Sequence, residues 1–138
     1  MIYFDNRTDF EYDIAALEPI VSDLSDRDVE VIFTSDEEIA DINEAFRGIS
    51  KPTDVLSFPL EQMPHSPLGT VIISIDHARA KAEELGHRTE EEIALLFIHG
   101  MLHLLGYDHE QDQGQMRARE TELIVHYNLP ESLIQRSV

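Results

Sequence analysis

Cysteine is absent from the 138 residues. That excludes disulfides and thiolate metal sites, so any metal must be taken by His, Asp, Glu or backbone oxygens, and it suits a reducing compartment. No apolar run approaches the ~20 residues that a membrane span requires. The opening Met1 to Arg7 has no basic stretch followed by an apolar core, so no secretory signal is expected. The expectation is a soluble, cytoplasmic protein with no membrane partner. Positive charge is scarce, with 10 Lys and Arg against 28 Asp and Glu and a net charge of -18. Such a surface repels polyanions at long range, and a nucleic-acid substrate would need a local basic patch or bound cations to approach. Linkers, internal repeats and low-complexity tracts are also missing.

Hydrophobic residues make up 42% of the chain and charged residues 28%, an ordinary globular composition. The length fits one domain spanning 1–138 with a sizeable core. Ile2 to Phe4 and the alternating Val29 to Thr34 read as strands, the second with Val29, Val31 and Phe33 on one face. Between them Ile14, Leu17, Ile20, Val21 and Leu24 recur at helical spacing around Pro19, which is expected to kink or restart the run. Ser35 with Glu38 forms a capping-box pattern for a helix in which Ile39, Ile42 and Phe46 face the core, Arg47 ends the last turn and Gly48 follows.

Val55 to Phe58 reads as a short strand stopped by Pro59, with a loop from Glu61 to Pro67, and Thr70 to Ile75 is the most β-rich segment. Asp76 is expected to cap a helix carrying Ala78, Ala82 and Leu85 that Gly86 ends. Thr89 with Glu92 suggests a second capping box, opening an apolar helix from Glu90 to about Leu105. A last helix from about Gln111 to Tyr127, aligning Met116, Leu123 and Tyr127, stops before Pro130. This order implies an α+β fold, a small mixed four-stranded sheet packed with about five helices.

His99 and His103 are four residues apart on the apolar helix, so both imidazoles project from one face, close enough to share an ion. With seven His in the chain, such a pair arises by chance in about one chain in three. A helical His on an apolar face is also commonly a hydrogen-bonded core residue. Gly106, three residues past His103, can end the helix and turn the chain, which brings His109 toward the other two. Requiring that Gly and His as well lowers the chance expectation to about one chain in a thousand. Three neutral ligands leave a divalent ion its full charge and an open position, where bound water has a pKa of roughly 7. Nitrogen donors favour zinc over magnesium, with nickel, copper and manganese left open. Asp108 is either a carboxylate that orients a ligand N–H or a solvated turn residue. His65, His77, His87 and His126 lack ligand spacing to the cluster and read as surface or packing residues.

The order H-x-x-x-H-x-x-G-x-x-H resembles the zinc ligands of the metzincin peptidases, except that their general-base Glu after the first His is here Gly100. The full run His99-Gly-Met-Leu-His-Leu-Leu-Gly-Tyr-Asp-His109 closely resembles the bacterial endoribonuclease YbeY family. So do Phe46-Arg-Gly48, Pro52-Thr-Asp-Val-Leu-Ser-Phe-Pro59 and Leu68-Gly69. The resemblance implies a zincin-like α+β fold, one zinc on His99, His103 and His109, and cleavage of single-stranded RNA rather than DNA. It further implies a role in maturing the 3′ end of small-subunit (16S) ribosomal RNA and in ribosome quality control, with the ribosome or small-subunit proteins as partners. The family's functional arginine falls on Arg47, whose guanidinium can grip a phosphate and stabilise a phosphorane; read without the family, Arg47 is a helix C-terminal cation. Thr53, Asp54 and Ser57 are cleft candidates, while Leu56 and Phe58 read as core. Where many relatives have an acidic residue after Leu68-Gly69, this chain has Thr70, a strand-start position with no expected part in chemistry. Of the cations, Arg47, Lys51, Arg79, Lys81 and Arg88 are the candidates for an RNA-facing patch. A metallopeptidase and a non-catalytic ribosome-associated adaptor with a structural metal are the alternative readings.

Overall fold

Period-2 patterning places Val29, Val31 and Phe33 on one side of a strand. In the computed structural model, which describes residues 1–60, 66–107 and 113–129, β2 (Val29–Thr34) buries all three side chains completely. Ile32, facing the other way, is buried as well, because β2 is covered on both faces, as parallel strands in a layered fold usually are. It lies between β1 (Ile2–Asn6) and β4 (Gly69–Ser74), both parallel to it, and β3 (Val55–Pro59) closes the sheet antiparallel to β4, giving the order β1-β2-β4-β3. With five α-helices among the described residues, this is the mixed α+β arrangement that the element order implies.

Pro19 restarts the early helix rather than bending it. A 3-10 turn at Ile14–Leu17 leads into α1 (Glu18–Leu24), and the proline sits in the first turn, where its missing N–H has no intrahelical partner to lose. The helix α2 (Asp36–Arg47) is capped as expected: Ser35 Oγ accepts from Glu38 N at 3.2 Å, and Gly48, with φ 71°, closes the other end. Ile39 packs on one face of the sheet with Ile32, Leu56 and Ile72. Phe46 departs from the expected pattern. Its ring is 71% exposed and meets Phe58 of the edge strand β3, because the last turn of α2 lies beyond the buried cluster that Ile39 joins.

The main core covers the opposite face, where α3 (Ile75–Leu85), α4 (Thr89–Leu104) and α5 (Gln115–His126) pack with α1. Two helix starts differ from expectation. Ser74 Oγ, not Asp76, caps α3 by accepting from His77 N at 3.3 Å, and the Asp76 carboxylate instead accepts from Asp36 N at 2.9 Å, tying the starts of α2 and α3 together. At α4 the N-cap is Arg88, whose N–H donates to Glu91 Oε1 at 2.9 Å, while Glu92 turns inward and pairs with His87 Nε2 at 2.9 Å. The rotational phase of α4 is set by its apolar residues, and that phase leaves Glu92 on the buried side. The described part of the last helix begins at Gln115; Gln111, Pro130 and most of the loop after Leu60 lie outside the described residues.

Ile93, Phe97, Ile98, Met101 and Leu102 are all fully buried, so α4 is enclosed on most of its circumference. Its seat on the sheet is close at Gly100, where a Cβ would lie 2.7 Å from Val71 Cγ1 and 3.1 Å from Ser57 Oγ. Gly100→Ala is therefore expected to destabilise the fold by ~1–3 kcal/mol through overpacking, read as a lowered urea midpoint; an unchanged midpoint would show that α4 can lift from the sheet without cost. A second expectation concerns acid. The Thr34 hydroxyl at 2.6 Å, and after it the Arg7 guanidinium at 2.9 Å, hold the Glu38 carboxyl below its ordinary 4.5. A depressed folded-state pKa adds stability above the unfolded value that is lost as pH falls through the folded one. Glu38→Gln should thus be less stable than the parent at neutral pH, and the two melting temperatures should converge below about pH 4.5.

Candidate active site

Arg47 reaches the site because α2 ends there and the chain returns at once. Asn43, one turn earlier and 3% exposed, donates Nδ2 to Lys51 O at 2.9 Å, pinning the segment that leads into β3. Asp54 then accepts from Val55 N at 2.8 Å, and its carbonyl accepts from Ser74 N at 2.9 Å, which fixes the start of β3 against the end of β4. On the far side Ser57 Oγ donates to Gly100 O at 3.2 Å, locking β3 to α4. Between these elements lies a cavity of about 640 Å³. Arg47, Thr53, Asp54, Ser57, His99 and His103 all line it, together with Val55, Leu56, Phe58, Pro59, Gly106 and Tyr107.

The two imidazoles meet as i,i+4 spacing on a rigid helix requires. Their ring centroids are 4.6 Å apart with planes at 76°, and the two Nε2 atoms approach to 3.1 Å. Nδ1 of His99 lies 2.8 Å from Oε1 of Glu120, a carboxylate on α5 that is 1% exposed. A carboxylate there accepts from Nδ1–H, which leaves the Nε2 lone pair directed toward His103. Two ligand nitrogens on a tetrahedral ion with bonds of 2.0–2.1 Å stand roughly 3.3 Å apart. The donor type, the spacing and the tautomer thus fit a nitrogen-preferring divalent cation. Glu120 Oε2 is buried and has no hydrogen-bond partner among the described residues.

The third expected ligand follows the end of α4. Gly106, with φ 97°, takes the left-handed conformation, and its N–H donates to His103 O at 3.0 Å while Tyr107 N donates to Leu102 O at 3.0 Å. His109 and Asp108 lie outside the described residues, as does His65, and among the described residues no third His, Asp or Glu joins His99 and His103. At the position where a metzincin carries its general base, Gly100 faces Val71 of β4, so even a methyl group meets the sheet. Thr70 is half-buried and donates its hydroxyl to Glu30 Oε1 at 3.0 Å across the β2–β4 pair.

The cations outside the cavity lining are largely paired. Arg7, Arg79, Lys81, Arg88 and Arg119 each hold a carboxylate. Arg47 and Lys51 form no ion pair among the described residues, and Arg47 faces the cavity. Of the cations proposed for an RNA-facing patch, Arg79, Lys81 and Arg88 are therefore already engaged; Arg79 holds Asp9 and lies over the Phe10 ring. Of the other described histidines, His77 hydrogen-bonds Asp36, the buried His87 ring hydrogen-bonds Glu92, and His126 Nε2 lies 3.7 Å from the Asp23 carboxylate.

Sequence reasoning did not single out Glu120 or Asn43. Each left a signal, a polar residue in an otherwise apolar helical stripe: Glu120 between Met116 and Leu123, and Asn43 one turn after Ile39. Among the described residues no helix is long and apolar enough to cross a membrane.

A family model described as Endoribonuclease YbeY matches residues 9–128. The chain is 60% identical over 137 residues to a protein named Endoribonuclease YbeY from Nautilia profundicola, covering 99% of each. It is 58% identical over 137 residues to the protein of that name from Wolinella succinogenes, covering 99% of this chain and 98% of the other. A solution structure of a Thermotoga maritima protein matches the fold with a TM-score of 0.67 at 30% identity, over 92% of this chain and 89% of that one. Matched along nearly its whole length by relatives of this identity, the chain belongs to the Endoribonuclease YbeY family.

Proposed function

We propose that this chain is a cytoplasmic metal-dependent endoribonuclease that hydrolyses internal phosphodiesters of single-stranded RNA. Its cellular substrate is the 3′ end of small-subunit ribosomal RNA, it acts with the ribosome or small-subunit proteins as partners, and it serves ribosome quality control. Zinc would be held by His99, His103 and His109. The observation that carries this reading is the convergence of the His99 and His103 Nε2 atoms, 3.1 Å apart, at the wall of a cavity that Arg47 also lines. The names of the relatives support RNA as the substrate.

A divalent ion in that place supplies Lewis acidity, acidifying water and offsetting phosphate charge. The protein groups have separate tasks. Glu120 holds His99 in the tautomer whose Nε2 can act as a donor. Arg47 can offer two parallel N–H groups to non-bridging phosphate oxygens, and its grip strengthens as the phosphorus becomes five-coordinate and gains charge. Addition of water across the bond breaks one P–O bond and leaves a phosphate on one fragment and a hydroxyl on the other. Thr53, Asp54 and Ser57 shape the wall on the β3 side. The imidazole nitrogen donors favour zinc over magnesium.

Cleavage of a single-stranded RNA carrying the small-subunit rRNA 3′ end should be seen with metal-loaded parent. Arg47→Ala should lose roughly 100-fold or more, and His103→Ala should be inactive. Equal cleavage by all three would identify a contaminant and remove the reading, and no cleavage by any, with ribosomes present, would leave the adaptor role in its place. Glu120→Ala is expected to weaken zinc binding roughly 10- to 100-fold in a chelator competition. Unchanged affinity would mean that the His99–Glu120 bond serves packing alone.

A further inference from the structure

Phe46 is the most exposed aromatic residue among the described residues. It stands in the last turn of α2, immediately before Arg47, and 71% of its surface is open. It is not isolated. Its ring centroid lies 5.1 Å from that of Phe58, with the planes tilted by 56°, and Phe58 lines the same cavity as Arg47 and the two histidines. Ile49, 41% exposed, and Leu60, 51% exposed, lie within three residues of these rings in the chain. An exposed aromatic held by a second ring, on a capped helix turn, is a rigid π-face at the rim of the site. Arg47, the next residue in the chain, lines the cavity that Phe58 also lines, and neither it nor Lys51, four residues further on, forms an ion pair among the described residues.

We propose that Phe46, backed by Phe58, is a stacking platform for one unpaired nucleobase flanking the phosphate that Arg47 holds, and that it sets the preference for single-stranded RNA. The inference rests on the endoribonuclease reading and adds to it a specificity-determining residue. The chemistry is that of nonspecific single-strand recognition: aromatic side chains stack bases whatever their identity, and cationic groups track the backbone. In a duplex each base is already stacked on both faces, so the platform finds nothing to bind until the strand is open. Charge complementarity points to a nucleotide as the occupant, since Arg47, at the cavity that Phe58 shares, matches a phosphate joined to the stacked base through one sugar.

The test compares the parent with Phe46→Ala, Phe46→Leu and Phe46→Trp, all at an exposed position where the fold should persist, as checked by melting temperature. Each metal-loaded protein is assayed for affinity to a fluorescein-labelled oligouridine and for cleavage of single-stranded RNA and of the same sequence annealed to its complement. Phe46→Ala should weaken oligouridine binding roughly 5- to 100-fold, with the cleavage loss carried by KM and the advantage of single-stranded over duplex RNA reduced. Trp should restore both and Leu should not. An abasic site next to the scissile phosphate should weaken the parent and add little in Phe46→Ala. The proposal fails if Phe46→Ala binds and cuts as the parent does, which would assign the patch to a protein partner. It fails equally if Leu rescues as well as Trp, or if single-stranded and duplex cleavage fall together. A parent that neither binds nor cuts RNA, with Arg47→Ala indistinguishable from it, would instead overturn the endoribonuclease reading.

Discussion

The close seat of α4 on β3 and β4 governs both the fold and the site. Gly100 leaves no side chain between the helix and Val71, and Ser57 uses that proximity to donate to the Gly100 carbonyl. The helix is thereby held at a fixed height and rotation above the sheet. Because His99 precedes Gly100 and His103 follows one turn later, the contact that places the glycine against the strand also directs both imidazoles past the sheet edge into the cavity. The glycine that denies the chain a metzincin-type base is thus the residue that positions its histidines. Packing and chemistry are set at the same residue.

Burial of polar groups gives the site its stiffness. An unpaired carboxylate in an apolar interior is costly, so Glu120 at 1% exposure is held in place by its bond to His99. The pair works in both directions: α5 orients a residue of α4, and His99 satisfies one oxygen of a group that α5 would otherwise bury alone. Asn43 does similar work elsewhere: one side-chain amide ties the loop at Lys51 to the helix that ends in Arg47. His87 and Glu92 repeat the buried His–Glu pairing at the start of α4, away from the cavity, which shows that such a pair is not by itself a mark of a site.

Most of the scaffold was legible because its signals are local. The alternation at Val29, Val31 and Phe33, the Ser35 cap and the unbroken apolar run of α4 each depend on a few neighbouring residues. The histidine spacing was legible for the same reason. Readings failed where the outcome depends on tertiary placement. The two helix starts differ because Asp76 and Glu92 find partners in other elements or in the interior, and the outward turn of Phe46 is not legible because helical periodicity cannot reveal where the cover of an edge strand ends. Glu120 is 21 residues from the ring it orients, so no spacing rule could connect them.

The pairing of five of the nine described lysines and arginines with carboxylates bears on how tightly this acidic protein can hold a nucleic acid. Each phosphate neutralised on a single strand releases about 0.7 of a condensed counterion. A footing confined to Arg47 and Lys51 would therefore release on the order of one or two ions and gain little from dilution of salt. Affinity must then come from contacts that ignore ionic strength, and diffusion along RNA by charge alone is weak. A nuclease with so narrow a cationic footing would have little hold on RNA passing at random and would act best where a strand is already presented to it.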